Sequence, residues 1–359
     1  MASFAARVVA WQRAHGRRGL PWQASRDPYR IWLSEVMLQQ TQVATVLPYY
    51  AHFVDAFPTV GALAAAPIAR VLECWSGLGY YRRAHHLHAA ARSVVERHRG
   101  RFPTDAATLA TLPGIGRSTA AAIAAFAGGE RGAILDGNVK RVLARHRGIE
   151  GWPAAPRVAA LLWRSAETLL PARRDCERDG QTIADYTQGM MDLGATICTR
   201  ANARCDACPV AGDCVARRER RIAALPSPRP RKALPKREVI VLLLEHDGAL
   251  LLEQRPPVGI WSGLWSFPEA PLGIDVRTHV PARFGVRVAA ESPMPPLTHA
   301  FTHFALTMHP VRVRVHAVQP SVNMPGVRWF DVDAALAAAV PSAVRRLIRS
   351  LDTPPSRLS

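Results

Sequence analysis

The chain has 359 residues, and its 46 lysines and arginines against 28 aspartates and glutamates give a formal net charge of +18. This length excludes a peptide or a single small module and predicts two or three domains, each with a hydrophobic core. The positive charge predicts a polyanionic partner, with compositional drift in an arginine-rich chain as the alternative.

The apolar segments are too short to cross a bilayer. The longest, residues 120–127 and 239–244, fall well below the ~20 residues that a spanning helix needs, so we expect no membrane partner. The basic N-terminal stretch lacks the continuous apolar run of a secretory signal, and the spacing of Phe4, Val8 and Trp11 predicts an amphipathic helix. We expect a cytoplasmic protein, associated with the nucleoid if the source is bacterial.

Three parts of the chain differ in their patterning. From residue 1 to about 216, apolar residues recur at helical intervals without a strand pattern. Residues 217–237 are rich in proline and arginine and predict a solvated basic linker. Within residues 238–359, two apolar runs flank residues 246–248 as in a β-hairpin and residues 311–315 alternate, which predicts an α+β domain.

A carboxyl group lies on an apolar helix face early in the chain. Asp27 and Pro28 predict the N-cap and first position of a helix that continues to about Leu47. On this helix, Glu35 has apolar residues three and four positions before it and three after it. Desolvation on such a face raises a carboxyl pKa, as a general acid requires. The alternative is a glutamate that reaches solvent or pairs with an arginine.

Two glycines precede a predicted helix of small residues in the segment Leu112 to Gly116. Gly114 and Gly116 permit close approach of the backbone, and consecutive N–H groups at a helix start form an anion site suited to a DNA phosphate. An ordinary turn between two helices is the alternative.

A second candidate carboxylate, Asp136, precedes a basic amphipathic helix predicted over residues 139–146. By itself it indicates a turn with a helix cap. The residues alone therefore offer two carboxyl groups, Glu35 and Asp136, and leave open whether they meet.

Four cysteines cluster between residues 198 and 214, namely Cys198, Cys205, Cys208 and Cys214. Four thiolates on a short loop can surround one metal centre, and a zinc site and a [4Fe–4S] cluster both accept four cysteine ligands. Two disulfides are a further alternative, which the expected reducing compartment disfavours. Because arginines lie inside the loop, we interpret the metal as structural rather than redox-active.

Six motifs follow one another along the chain: Leu20-Pro21-Trp22, Trp32 to Thr41, Gly77 to Tyr81, Leu112 to Gly116, Leu135 to Arg141, and the four-cysteine loop. Together they resemble the adenine DNA glycosylases of the helix-hairpin-helix base-excision superfamily. The resemblance covers nearly the whole chain and is strongest from about residue 19 to 216. It implies all-α helix-hairpin-helix lobes with a four-cysteine iron–sulfur loop, followed by an α+β Nudix-like domain.

The resemblance also implies a reaction. A monofunctional enzyme of this family removes adenine mispaired with 8-oxoguanine, or less readily with guanine, from double-stranded DNA, after everting the nucleotide. Glu35 is then the acid that protonates adenine N7, and Asp136 is the carboxylate that stabilises the oxocarbenium sugar, by charge or by a transient covalent bond. Asn138 is expected to hydrogen-bond in the same pocket.

The same resemblance assigns contacts to DNA. Gln40 and Tyr80 match positions that wedge into the base stack beside the oxidised guanine, where an aromatic ring gains from stacking. The hairpin residues Leu112, Gly114 and Gly116 are expected to contact the phosphate backbone.

Ser118 bears on strand cleavage. The related endonuclease III type carries at the matching position a lysine that forms a Schiff base with the sugar. A serine hydroxyl cannot form an imine, so Ser118, although expected at the DNA, argues against a strong lyase. Lys140 is the remaining amine nearby, and we interpret it as a cation for phosphate or the pocket rather than as a nucleophile.

The resemblance favours a [4Fe–4S] cluster over zinc at the cysteine loop, and it makes the C-terminal domain a reader of the oxidised guanine. When Gly263 is set as the start of the Nudix box, Glu269 and Arg277 fall at expected positions. The catalytic glutamates are replaced by Thr278, Pro281 and Ala282. Without those oxygen ligands for Mg²⁺, we expect the domain to bind and not to hydrolyse.

Phe301, Thr302 and His303 resemble the family's recognition loop, with threonine where a serine is expected.

Three other functions compete: a pyrimidine-lesion glycosylase with lyase activity, a metal-stabilised DNA-binding protein without catalysis, and a nucleotide-pool hydrolase. Ser118 argues against the first and the missing glutamates against the third. Paired carboxylates argue against the second, because an acid beside a DNA groove opposes phosphate binding. The absence of a heptad seam, together with the resemblance, predicts a monomer.

Overall fold

The structure, a computed structural model, describes residues 2–230, 234–318 and 324–351. The chain forms two compact units. The first comprises Met1–Ala65 and His86–Arg231, and the second comprises Ala66–His85 and Lys232–Ser359.

Residues 66–85 belong to the second unit, which the domain boundaries predicted from the sequence do not anticipate. The reason lies in contacts between residues far apart in the chain. The hydroxyl of Tyr81 donates to the carbonyl of Val340 at 3.2 Å, and the Arg345 guanidinium donates to Ser76 Oγ at 2.8 Å. No local sequence pattern reports such pairings.

The part of the described chain before residue 219 is helical, as predicted. No helix in the described ranges is both long and apolar enough to cross a membrane. The α-helices are α1 Phe4–His15, α2 Pro28–Leu38, α3 Val43–Ala56, α4 Val60–Ala65, α5 Ile68–Trp75, α6 Arg82–His98, α7 Ala106–Leu109, α8 Arg117–Gly128, α9 Gly137–Arg147, α10 Pro156–Thr168, α11 Arg173–Arg178, α12 Gln181–Asp192 and α13 Val215–Arg218. Short turns of 3₁₀ helix cover Pro21–Gln23, Cys205–Ala207 and Ala211–Asp213, and a π-helical turn covers Leu193–Ile197.

Helix α2 begins as predicted and ends earlier than predicted. Asp27 accepts a hydrogen bond from the Tyr29 backbone N–H at 3.0 Å, with Pro28 in the first turn. The helix stops at Leu38 instead of continuing to about Leu47, because Gln40 takes a left-handed backbone conformation with φ +59°. A glutamine in that conformation carries no Gly or Pro signal in the sequence.

A core of the first unit joins buried apolar residues of α1, α8, α9, α10 and α12. Helix α8 begins after Gly116 and ends at Gly129, which adopts φ +68°. Between them, the side chains of residues 120–125 are buried and, except for Ile123, are alanines, so neighbouring helices can approach closely.

Within the predicted linker, residues 225–227 contact the first unit, while most side chains from 217 to 230 are exposed. Leu225 is buried, and its carbonyl accepts a hydrogen bond from Arg145 Nε at 2.8 Å. Ser227 Oγ accepts one from the Gly151 backbone N–H at 3.1 Å. Arg145 is itself buried, and its donors need acceptors, which this segment supplies. Residues 231–233 lie outside the described ranges.

The second unit contains an eight-stranded mixed sheet with the central order β3-β2-β1-β7-β5. Strands β1 and β7 are parallel, while β1 and β2 form the predicted hairpin, with His246 paired to Ala249. Apolar residues of β1, β2, β5 and β7 pack under α14. The elements are β1 Lys236–His246, β2 Ala249–Gln254, β3 Trp265–Ser266, β4 Glu269–Ala270, α14 Val276–Phe284, β5 Val286–Pro293, β6 Leu297–Ala300, β7 Ala305–Val318, β8 Val327–Asp331, α15 Val332–Ala337 and α16 Ser342–Ser350.

Candidate active site

Glu35 projects from α2 toward two neighbouring cavities of the first unit. The α2 residues around it, including Trp32, Leu33 and Met37, are fully buried, while Glu35 keeps partial exposure because it borders both cavities, which measure about 820 and 350 Å³. Its carboxyl group makes no hydrogen bond or ion pair with the described residues. Burial, together with the nearby negative charge of Asp136, raises the pKa of Glu35 to about 8.

Asp136 lines the larger of these cavities with Glu35. It is the N-cap of α9, where its Oδ1 accepts a hydrogen bond from the Val139 backbone N–H at 2.8 Å. Burial raises the pKa of Asp136, while backbone hydrogen bonds from Val139 and Asn138 and the charge of Arg141 oppose that rise. The structure thus brings the two candidate carboxylates to one cavity and surrounds them differently.

Asn138 is held beside Asp136 by a tight junction between α9 and the π-helical turn. Its Oδ1 accepts a hydrogen bond from Arg141 Nη2 at 2.8 Å, and the same nitrogen donates to the Gly194 carbonyl at 2.7 Å. A Cβ on Gly194 would lie 2.5 Å from the Cβ of Asn138, so only glycine permits this approach. Arg141 Nε also donates to the Cys198 carbonyl at 2.7 Å, which joins this junction to the cysteine loop.

Ser118 also lines the larger cavity, where its Oγ accepts a hydrogen bond from the Leu135 backbone N–H at 2.8 Å. This contact fixes the backbone immediately before Asp136. In the preceding turn, Gly114 has φ +79° and Gly116 is exposed at the start of α8, so backbone N–H groups there remain accessible to a ligand. Leu112 is different, because its side chain is buried and can contribute to a DNA surface only through its backbone.

The three remaining candidates for DNA contact differ in their surroundings. Gln40 is exposed and lines the larger cavity. Lys140 does not line it, although its charge opposes the rise in the pKa of Asp136. Tyr80 belongs to the second unit, where its side chain is 51% exposed and φ is +49°. There the Arg83 guanidinium lies 5.4 Å from the centre of the Tyr80 ring and 5.3 Å from that of Trp75.

The four cysteines of the loop, Cys198, Cys205, Cys208 and Cys214, are free thiols that line one small cavity. Burial and the neighbouring thiol groups raise the pKa of Cys208 to about 11. Arg145 Nη1 donates to Cys198 Sγ at 3.3 Å. Among the residues that the structure describes, no group of three or more His, Cys, Asp and Glu side chains is compact enough to hold a single metal ion.

The loop predicted to read the oxidised guanine is a turn between β6 and β7. The Phe301 backbone N–H donates to the Phe304 carbonyl at 2.8 Å, and their rings stack at 4.6 Å. Trp261, in the connection between β2 and β3, packs against Phe301 with ring centres 5.5 Å apart. Thr302 and His303 are exposed at the tip, so the threonine hydroxyl is accessible to a ligand.

The acidic residues near the Nudix box are paired with arginines. Glu269 lies 2.8 Å from Arg255, and Glu253 lies 2.6 Å from Arg283. Helix α14 carries the positions at which catalytic glutamates are missing, namely Thr278, Pro281 and Ala282.

Two cavity residues, and a buried carboxylate that contacts both, were not identified as site residues from the sequence. Arg17 and Gln188 line both cavities beside Glu35, and the buried Asp192 contacts both of them. A signal existed for Gln188 and Asp192, because a glutamine and an aspartate four residues apart on a helix can hydrogen-bond to each other.

The chain is similar to DNA repair proteins along most of its length. Residues 33–168 match the model of the HhH-GPD superfamily of base excision DNA repair proteins, and residues 239–350 match that of the NUDIX domain. An adenine DNA glycosylase of Buchnera aphidicola subsp. Baizongia pistaciae (strain Bp) is 31% identical over 345 residues, which span 96% of this chain and 95% of that protein. The adenine DNA glycosylase of Homo sapiens is 32% identical over 97% of this chain and 74% of its own length.

Among solved structures, that of a thermostable thymine-DNA glycosylase has a TM-score of 0.53 and 28% sequence identity, over 60% of this chain and 95% of that one. Its name refers to a different base, so the shared fold does not by itself define the base removed. The full-length relatives are more specific, and they show that this chain is an enzyme and belongs to the adenine DNA glycosylase family.

Proposed function

We propose that this enzyme removes adenine paired with 8-oxoguanine or guanine in double-stranded DNA, by acid-assisted hydrolysis of the N-glycosidic bond and without strand cleavage. The observation that carries the proposal is that Glu35 and Asp136 line one cavity of about 820 Å³ in contrasting environments. Glu35 lacks hydrogen-bond donors among the described residues, whereas Asp136 accepts backbone hydrogen bonds and lies near Arg141.

These environments suit opposite protonation states. With a pKa of about 8, Glu35 holds its proton at neutral pH, as a general acid must. Burial raises the pKa of Asp136, but backbone hydrogen bonds and the charge of Arg141 oppose that rise, and we assign Asp136 the anionic role. Two carboxyl groups with separate tasks are the usual arrangement for breaking a glycosidic bond.

In the proposed reaction, Glu35 donates its proton to N7 of the everted adenine. The bond from C1′ to N9 then breaks, its electron pair goes to the base, and the base leaves neutral. The Asp136 carboxylate stabilises the positive charge left on the sugar. Water adds to C1′, and its surplus proton returns to the Glu35 carboxylate, which restores the enzyme.

Ser118 supports the absence of strand cleavage in this proposal. Its hydroxyl is engaged with the Leu135 backbone N–H, and an alcohol cannot form the imine through which a lysine cuts the strand. Lys140 does not line the cavity and is assigned to charge rather than to nucleophilic attack.

DNA recognition is proposed to involve both units. The accessible backbone around Gly114 and Gly116 binds a phosphate, Gln40 and Tyr80 enter the base stack, and the exposed hydroxyl of Thr302 binds the oxidised guanine. The arginine-paired acids and the substituted glutamate positions support a second unit that binds without hydrolysis. We also predict that the protein is a monomer and that it lies in the cytoplasm, at the nucleoid if the source is bacterial.

We propose that Cys198, Cys205, Cys208 and Cys214 hold a [4Fe–4S] cluster. The four thiols line one cavity, and four cysteine thiolates are a ligand set of such a cluster, which the family resemblance favours over zinc. When bound, the cluster supplies four iron–thiolate bonds that brace the loop whose Cys198 carbonyl accepts a hydrogen bond from Arg141.

The proposed function is tested by single-turnover release of adenine from duplexes that carry adenine opposite 8-oxoguanine, guanine or thymine. Alkali reveals abasic sites, and samples without alkali reveal any strand cleavage by the enzyme. We expect alkali-dependent cleavage that is fastest opposite 8-oxoguanine, and a smaller preference over guanine in Thr302→Val, with Thr278→Val as the control. Strand cleavage without alkali at the rate of base release would contradict the monofunctional assignment.

A further inference from the structure

We propose that Asp192 is a positioning residue that orients the side-chain amide of Gln188 and thereby makes the cavity selective for a 6-aminopurine. The inference rests on the proposed function, because it concerns the base that the same site accepts.

Asp192 is a fully buried carboxylate at the end of α12. Its Oδ1 accepts hydrogen bonds from Arg17 Nε at 2.7 Å and from Gln188 Nε2 at 2.8 Å, and its Oδ2 accepts one from the Arg17 backbone N–H at 2.8 Å. The Arg17 guanidinium also forms an ion pair with this carboxylate, with Nη2 2.6 Å from Oδ1. A buried charge with this many donors has a defined geometry, because each lost donor would leave it poorly compensated.

The Asp192 carboxylate, which is paired with Arg17, determines which way the Gln188 amide faces. A carboxylate only accepts hydrogen bonds, so the branch of the amide that contacts Asp192 is the NH₂ group. The other branch, Oε1, accepts no hydrogen bond from the described residues. Gln188 therefore presents an acceptor to the two cavities that it lines together with Glu35.

An acceptor at this place distinguishes purines by their C6 substituent. Adenine carries an amino group at C6, which donates to Oε1 of Gln188. Hypoxanthine and guanine carry a carbonyl oxygen at C6, which faces Oε1 as a second acceptor and leaves both atoms without a donor. Unpaired polar groups in a site of this kind are costly, so a fixed amide rejects the 6-keto base. If the amide were free to rotate by half a turn, it would offer its NH₂ group to the 6-keto base instead.

The test compares single-turnover excision of adenine and of hypoxanthine, each placed opposite 8-oxoguanine in the same duplex. The intrinsic lability of each nucleotide is the same for every variant, so it cancels when the adenine-to-hypoxanthine ratios of two variants are compared. We expect Asp192→Asn to lower this ratio by about tenfold, the effect of one net hydrogen bond. Gln188→Met, which removes the acceptor at similar volume, is expected to lower it by a similar factor.

The double variant separates positioning from general structural damage. Since Asp192 acts on selectivity through Gln188, adding Asp192→Asn to Gln188→Met should change the ratio no further, although both rates can fall. Asp192→Glu keeps the carboxylate and should retain part of the selectivity. The inference is overturned if Asp192→Asn slows both bases equally and leaves the ratio unchanged.

Gln188→Met gives an independent test if Asp192→Asn fails to fold. An unchanged ratio in Gln188→Met overturns the inference whatever the behaviour of the Asp192 variants. Failure of the unaltered enzyme to release adenine from any of these duplexes would instead contradict the proposed function, so the two failures are distinguishable.

Discussion

Glu35 and Asp136 line the same cavity, yet of the two only Asp136 is held by backbone hydrogen bonds, one of them from Val139 at 2.8 Å. The two side chains come from helices α2 and α9, about a hundred residues apart in the chain. Their contrasting surroundings give one cavity a proton donor and a candidate anion.

Asp136→Asn should separate binding from catalysis. Asparagine is as good an N-cap as aspartate, so α9 and the melting temperature should change little. The negative charge is lost, and single-turnover adenine release should fall by about 10²–10³-fold. Binding to a duplex with the non-hydrolysable 2′-fluoro analogue of deoxyadenosine serves as the control and should be nearly unchanged. Near-normal excision by this variant would remove the role assigned to Asp136.

Glu35→Gln should make the protein more stable at alkaline pH. The pKa of Glu35 is about 8 in the folded state and ~4.3 when unfolded, so between these values the folded state binds more protons. Its contribution therefore falls as the pH rises from about 4 to 8. Glutamine does not titrate, so the gain in melting temperature over the unaltered protein should be larger at pH 8 than at pH 5. An equal gain at both values would show that the pKa of Glu35 is not raised.

Ser118→Lys should create an amine that attacks the sugar. Borohydride should then trap more covalent enzyme–DNA adduct than with the unaltered enzyme. The same change removes the acceptor for the Leu135 N–H, which should cost about 1 kcal/mol of stability. Ser118→Ala has the structural loss alone and is the matched control. Trapping no greater than that of Ser118→Ala would show that this position does not limit lyase activity.

Gly194→Ala should disturb the site without changing either carboxylate. The added Cβ would lie 2.5 Å from the Cβ of Asn138, so α9 and the π-helical turn must separate. We expect a loss of about 1–3 kcal/mol in unfolding free energy and slower excision. Gly212→Ala is the control, because a Cβ there meets no atom within 4 Å. Equal behaviour of the two variants would show that the close approach is unimportant.

The sequence predicted those parts of the site that depend on local patterns. The Asp27 cap, the apolar face around Glu35 and the cap at Asp136 are visible in short stretches, and the resemblance related them to one reaction. The end of α2 near Gln40, the place of residues 66–85 and the contact between Gly194 and Asn138 were not predictable. The last two depend on neighbours distant in sequence, which local periodicity does not report, and no glycine or proline marks the left-handed backbone at Gln40.

The most direct test of the central claim is the pH dependence of single-turnover adenine release from a duplex with adenine opposite 8-oxoguanine. A protonated Glu35 with a pKa of about 8 predicts a rate constant that falls above that pH, approaching about tenfold per pH unit. In Glu35→Gln the rate constant should be much lower and should lack this fall. A rate constant independent of pH from 6 to 10, or the same fall in Glu35→Gln, would contradict the assignment of Glu35 as the acid.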